Sequence, residues 1–116
     1  MAEFVEVGNA TDLQDGAMKE VSIGGRNLLI ARAGENFYAA ENRCPHFGAK
    51  LTMGTLQGSI VTCARHGSQF DLADGQVIRW TDWPGLISSL NRALRPPRPL
   101  KVYRTKIEDG KILVEI

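Results

Sequence analysis

The chain has 116 residues, of which 43% are hydrophobic and 23% charged, and its formal net charge is +1. This length fits a single domain, 1–116, and the near-neutral charge gives no indication of nucleic-acid binding. No apolar run approaches the length of a transmembrane helix, and the acidic start lacks the basic and apolar parts of a signal peptide, so we expect a cytoplasmic location.

Alternating apolar residues predict β-strands in the first third of the chain. Residues 3–7 alternate weakly and form the first predicted strand. Val21 and Ile23 alternate before Gly24-Gly25, and the pattern resumes over 26–33, which is typical of a β-hairpin. A turn at 34–36 and a short strand at 37–41 follow.

The pattern changes between residues 42 and 75, where glycines recur and only 59–62 has the character of a conventional strand. Glycines at this density allow tight turns and a close approach of the backbone to a bound group. We therefore predict a glycine-rich binding module here, inserted into a basal β domain formed by 1–41 and 76–116. Residues 76–80 are predicted as a further strand.

Residues 83–94 have apolar side chains at helical spacing and predict one short helix. Asp82 is a suitable N-cap, Pro84 fits a first turn, and Pro96-Pro97 would end the helix.

The end of the chain predicts a hairpin, with strands at 101–108 and 111–116 joined by Asp109-Gly110. That register places Tyr103, Thr105 and Ile107 opposite Ile116, Val114 and Ile112, so one largely apolar face should pack on the core. Together these patterns predict an all-β fold with one short helix.

The two cysteines and two histidines of the chain all lie between residues 44 and 66. They form two pairs, Cys44-x-His46 and Cys63-x2-His66, and such a set of thiolates and imidazoles suits zinc or an iron–sulfur centre. Structural zinc sites usually group two cysteines and two histidines separately. One cysteine and one histidine in each half favour a binuclear 2Fe–2S cluster, although a structural zinc site remains an alternative.

Two longer motifs surround these pairs. Cys44-Pro45-His46-Phe47-Gly48-Ala49-Lys50-Leu51 and Cys63-Ala64-Arg65-His66-Gly67-Ser68-Gln69-Phe70-Asp71 resemble the two cluster loops of Rieske iron–sulfur domains, as does the G-x-L-x-G-x-x-V series at Gly54, Leu56, Gly58 and Val61. The resemblance covers nearly the whole chain.

This resemblance implies an antiparallel β-sandwich of stacked sheets that carries one 2Fe–2S cluster. By the same resemblance, Cys44 and Cys63 bind one iron, His46 and His66 bind the other and face solvent, and Ser68 donates a hydrogen bond to a cluster sulfur. Residues 96–99 resemble a third, proline-containing loop beside the cluster.

Two departures from the high-potential members bear on the reduction potential. Those members have an extra cysteine in each loop, joined in a disulfide, and a tyrosine where this chain has Phe70. Fewer hydrogen bonds to sulfur imply a potential nearer to about −150 mV than to about +300 mV. The cation of Arg65, next to His66, acts in the opposite direction.

The resemblance implies a Rieske-type ferredoxin, which is an electron-transfer protein and not an enzyme. It would pass single electrons from a reductase to a terminal oxygenase of the ring-hydroxylating dioxygenase type, or to a similar redox enzyme. An oxygenase catalytic subunit would need a mononuclear iron on two further histidines and a carboxylate. The alternatives are a permanent accessory subunit, of the nitrite-reductase small-subunit type, and a structural zinc-binding module.

The charge distribution is uneven, since residues 92–107 contain six basic residues and no acid. This run is interpreted either as a solvated edge or as a docking patch for an acidic redox partner.

Overall fold

The computed structural model describes residues 3–45, 48–65, 67–80 and 98–116. Within these ranges, β-strands account for nearly all regular structure. They are β1 (Phe4–Asn9), β2 (Met18–Ile23), β3 (Arg26–Ala33), β4 (Asn36–Glu41), β5 (Thr55–Gln57), β6 (Ile60–Thr62), β7 (Gln69–Asp71), β8 (Val77–Arg79), β9 (Val102–Tyr103), β10 (Thr105–Glu108) and β11 (Lys111–Glu115). Two short 3-10 helices, Ala10–Asp12 and Leu51–Met53, complete the set. The helix predicted at 83–94 lies outside the described residues.

The strands form three sheets in which all neighbours are antiparallel. The first sheet has the order β1-β11-β10, the middle sheet β2-β3-β4-β9, and the third sheet β5-β6-β7-β8. The predicted all-β class is confirmed. None of the helices in the described part of the chain has the length and apolar character needed to cross a membrane.

The middle sheet lies between two hydrophobic cores, because four consecutive residues of β3, 28–31, are buried. Successive strand residues point to opposite faces. Leu28 and Ile30 pack with Ile112 of the first sheet, whereas Leu29 and Ala31 pack in the core that contains residues of the third sheet. The predicted stacking of sheets follows from this alternation.

The two predicted hairpin turns have the backbone that their sequences require. Gly24 and Gly25 both have positive φ, as do Asp109 (52°) and Gly110 (74°). Positive φ at both central residues is the mark of a type I′ turn, which matches the twist of antiparallel strands.

The prediction of one continuous strand over 101–108 is wrong, because the chain passes from the middle sheet to the first sheet at Arg104. Tyr103 pairs with Ala39 in the middle sheet, while Thr105 pairs with Val114 in the first sheet. Tyr103 therefore does not lie opposite Ile116, whose backbone N–H donates to Glu3. On the predicted apolar face, Ile112 and Val114 are buried, but Ile107 is 44% exposed.

The glycine-rich segment contains more strand than the sequence indicated. Besides the predicted strand at 59–62, it contains β5 and β7, each of three residues. Periodicity does not reveal strands of this length, since three residues hold only one alternation. The third sheet continues to Arg79.

Candidate metal centre

Both cysteines lie in the core between the middle and third sheets. Cys44 follows β4 and is 2% exposed, and Cys63 follows β6 and is 3% exposed. They belong to the same hydrophobic cluster. Other members of that cluster include Leu51, Val61, Phe70, Leu72, Trp80 and Leu100. The fold thus brings together two soft sulfur donors that are 19 positions apart in the sequence.

The two cysteine loops have the same backbone pattern; residues 44–49 are named the first loop and 63–68 the second. In the first loop, the Cys44 N–H donates to Ala49 O at 2.7 Å, and the Gly48 N–H donates to Cys44 O at 2.7 Å. In the second loop, the Cys63 N–H donates to Ser68 O at 2.8 Å, and the Gly67 N–H donates to Cys63 O at 3.2 Å.

Each loop turns at the glycine four positions after its cysteine. Gly48 has φ 78° and Gly67 has φ 69°, a conformation that side chains with a Cβ rarely adopt. The repeated hydrogen bonds and the matching glycines give the two loops the same local backbone geometry.

Polar side chains tie the first loop to its surroundings. Asn42, two residues before Cys44, is only 4% exposed and uses its whole amide. Its Nδ2 donates to Glu20 Oε2 at 2.7 Å and to Thr52 Oγ1 at 2.9 Å, and its Oδ1 accepts from the Thr52 N–H at 2.9 Å. Asn42 therefore joins the two ends of the first loop to each other and to β2.

A salt bridge extends this network to the surface, where Lys50 Nζ lies 3.1 Å from Glu20 Oε1. The hydrogen bond from Lys50, followed by that from Asn42, holds the pKa of the Glu20 carboxyl below its ordinary value of 4.5. Glu20 is therefore ionised at neutral pH and accepts from both neighbours.

The second loop is held mainly by close packing and by contacts to backbone atoms. Ser68 is fully buried, and its hydroxyl donates to the carbonyl of Trp80. Arg79 Nε donates to Gly67 O at 3.0 Å. The backbone at Gly54 lies against the strand that leads into this loop, so that an added Cβ would overlap Thr62 O and lie 3.3 Å from Ala64 N.

Comparison with known proteins agrees with this architecture, since the Rieske [2Fe-2S] domain family matches residues 3–90. The chain belongs to this family. Membership in the Rieske family implies a 2Fe–2S cluster as the group that this site would hold.

Three similar proteins illustrate the range of Rieske relatives. The chain is 33% identical over 108 residues to human (Homo sapiens) apoptosis-inducing factor 3, covering 93% of this chain and 16% of that protein. It is 30% identical over 112 residues to ferredoxin CarAc of Metapseudomonas resinovorans, covering 96% of this chain and 92% of that protein. A chain in the solved complex of reduced oxygenase and oxidized ferredoxin of carbazole 1,9a-dioxygenase is 29% identical, with a TM-score of 0.77 and coverage of 96% and 91%.

The lengths of these relatives differ greatly. This chain spans only 16% of the human and mouse apoptosis-inducing factor 3 sequences, but more than nine-tenths of ferredoxin CarAc. A Rieske domain of this kind therefore occurs both as nearly a whole small protein and as part of a much larger one.

The described residues fit a Rieske cluster as far as its sulfur ligands are concerned. Cys44 and Cys63 are brought together in equivalent loops, and thiolates are the preferred ligands of iron in such clusters. His46 and His66 lie outside the described residues, as do Pro96 and Pro97 of the predicted third loop. Arg65, Arg98 and Pro99 are exposed.

Sequence analysis did not identify Asn42, Glu20 or Thr52 as parts of the Rieske site. The partners of Asn42 are 22 and 10 positions away, and no spacing rule connects an asparagine to such partners. The recurrence of glycine four positions after each cysteine is, by contrast, visible in the sequence and would have predicted the shared loop pattern.

Proposed function

We propose that this Rieske protein is a ferredoxin, a one-electron carrier with no catalytic residues of its own. The observation that carries the proposal is the pair of equivalent cysteine loops meeting in one buried core. This arrangement suits a resident cluster, which supplies reversible one-electron chemistry when bound.

In this proposal Cys44 and Cys63 hold one iron, and His46 and His66 hold the other. Residues 42–75 act as the cluster-binding subdomain of the single domain 1–116, and 1–41 with 76–116 form its base. Ser68 is proposed as a donor to a cluster sulfur, in competition with its hydrogen bond to Trp80 O. The buried apolar side chains around the cysteines exclude water from the sulfur ligands.

The proposed partners are a ferredoxin reductase and a terminal oxygenase of the ring-hydroxylating dioxygenase type, with all components in the cytoplasm. Support comes from ferredoxin CarAc, which resembles this chain over more than nine-tenths of both lengths, and from the oxygenase–ferredoxin complex. No nucleic acid and no membrane is part of the proposed partnership.

A second candidate is a permanent redox module attached to a larger protein or subunit. The similarity to apoptosis-inducing factor 3, of which this chain spans only 16%, favours it. The two candidates share the cluster and differ in whether the partner dissociates between electron transfers.

Cluster type is tested on the purified protein by visible absorption, iron and acid-labile sulfide analysis, and EPR of the dithionite-reduced form during a redox titration. We expect two irons and two sulfides per chain, an average g below that of all-cysteine clusters, and a midpoint nearer to about −150 mV than to about +300 mV. A colourless protein that contains zinc and no sulfide would refute the proposal and favour the structural zinc module.

Individual ligands are tested with Cys44→Ser and His66→Ala, which should abolish the EPR signal of the reduced cluster. Met53→Ala is a suitable control, because Met53 is 75% exposed and bears no ligand atom of the proposed set. Retention of the native signal in either ligand variant would contradict the assignment. Co-purification then separates the two candidates, since a stoichiometric complex that survives gel filtration indicates a permanent module.

A further inference from the structure

A polar cleft of about 350 Å³ lies beside the first loop. Gly48 of that loop lines it, together with Arg43 directly before Cys44 and Lys50 directly after the loop. Gly25 of the turn between β2 and β3, and Arg26 at the start of β3, also line it. The cleft is therefore continuous with the first loop, which carries the proposed ligand Cys44.

The charges of the cleft are unbalanced. Three cations line it, Arg26, Arg43 and Lys50, against one carboxylate, Glu41. Lys50 is paired with Glu20 outside the lining, but none of the ion pairs among the described residues includes Arg26 or Arg43. The cleft thus has an excess of two positive charges, and neither guanidinium belongs to an ion pair within the described part of the chain.

Arg43 is exposed, and its guanidinium lies close to Gly48 of the first loop. A Cβ at Gly48 would lie 3.3 Å from Arg43 Nε and 3.6 Å from its Nη2, so the guanidinium packs over this glycine. A guanidinium can bind a carboxylate through two parallel hydrogen bonds.

We infer that this cleft is a docking site for acidic side chains on the surface of the redox partner protein, with Arg26 and Arg43 as the anchoring cations. The inference rests on the proposed electron-carrier function. It differs from the docking patch considered at 92–107, because all of the cleft residues lie between 25 and 50. A carboxylate bound here holds the partner against the loop that carries Cys44.

The first test measures the oxidation of the dithionite-reduced, cluster-loaded protein by small complexes of opposite charge in a stopped-flow instrument at low ionic strength. Each chain gives one electron to one ferricyanide anion or to one hexaamminecobalt(III) cation, and the metal of the complex is reduced by one unit. The variant Arg26→Gln/Arg43→Gln is compared with the wild type. As a control, Lys111→Gln removes one exposed charge from the β10–β11 hairpin of the first sheet.

We expect the double variant to react about three- to tenfold more slowly with ferricyanide and faster with the cobalt cation, because charges near the electron exit steer encounter. The differences should shrink at 0.5 M salt, where such interactions are screened. Equal rates for wild type and double variant with both complexes would overturn the inference. If both proteins are bleached by dithionite and still react at equal rates, the docking inference fails and the carrier function stands. If the wild type has no reducible cluster, the carrier function itself fails.

The second test identifies the occupant by fluorescence anisotropy with a fluorescein-labelled hexaglutamate peptide, which does not depend on electron transfer. Binding to wild type and Lys111→Gln with similar affinity, and at least about tenfold more weakly to the double variant, supports protein carboxylates as the occupant. Unchanged binding by the double variant would overturn the inference. Displacement of the peptide by inorganic phosphate at lower concentration than the peptide itself would overturn it too, because the cleft would then be a small-anion site.

Discussion

The first and second cysteine loops share a backbone pattern, but their surroundings hold them in different ways. The first loop is tied by the side chain of the buried Asn42, and by Glu20 and Lys50, which form a salt bridge at the surface. The second loop is held by a glycine that lies directly against backbone and by the buried hydroxyl of Ser68. Side-chain hydrogen bonds therefore stabilise the first loop, whereas close packing mainly stabilises the second.

The comparison predicts its largest effect at the glycine beside the second loop. Gly54→Ala should destabilise the protein by about 3 kcal/mol or more, because the new Cβ overlaps Thr62 O and lies 3.0 Å from the Thr62 carbonyl carbon, atoms that only a backbone shift can move. Urea unfolding and iron content measure this loss. Gly58→Ala is the control: its φ is 60° but nothing lies within 4 Å of a Cβ there, so it should cost only about 1 kcal/mol. Equal costs would show that close packing does not hold the second loop.

The next largest effect is expected at the first loop. Asn42→Ala leaves the partly buried Thr52 N–H without its acceptor and should cost about 1–3 kcal/mol. Asn27→Ala removes an exposed side-chain hydrogen bond from Ser22 and should cost under about 0.5 kcal/mol. Urea unfolding of the two variants compares these costs. Similar values for both would contradict the role of Asn42 as the tie between the ends of the first loop.

Ser68→Ala distinguishes the hydrogen bond that the Ser68 hydroxyl donates to Trp80 O from the one it is proposed to donate to a cluster sulfur. Loss of the hydrogen bond to Trp80 O should lower stability by about 1 kcal/mol. A lower midpoint potential in the redox titration of the loaded variant would show that the hydroxyl also donates to sulfur. An unchanged potential together with lower stability would restrict Ser68 to its contact with Trp80.

The smallest effect is expected on the pKa of Glu20, which pairs with Lys50 at the surface beside the first loop. Lys50→Met should raise the pKa of the Glu20 carboxyl toward 4.5, since the hydrogen bond from Lys50 is the main cause of its lowering. The lowered pKa means that this carboxylate contributes stability above pH 4.5 and loses that contribution as the pH falls through the pKa of the folded state. A carbon-13 NMR titration of the side-chain carboxyl measures the shift. A pKa unchanged by the substitution would exclude Lys50 as its cause.

Residue type and local spacing indicated the proposed ligands. The pairs Cys44/His46 and Cys63/His66 stand out because cysteine and histidine occur nowhere else in the chain. The type I′ turns at Gly24-Gly25 and Asp109-Gly110 were predictable for a similar reason, since few residues tolerate positive φ.

Features that depend on distant partners were not predictable. The network of Asn42 joins elements that no local pattern connects. The break at Arg104 arises because Tyr103 and Thr105 pair with strands of different sheets, although the apolar alternation continues through both. The sequence predicted an alternating strand over 26–33, whereas all four residues from 28 to 31 are buried, two on each face.

The double burial of β3 has a consequence for how the molecule opens. The cysteine-bearing core and the core beneath the first sheet share this strand as a common wall, so we expect loss of packing in one core to destabilise the other. Amide hydrogens of residues 28–31 should accordingly exchange with solvent only through global unfolding, the slowest route available to a protein. We therefore expect disruption of the cysteine-bearing core to be coupled to unfolding of the β10–β11 hairpin.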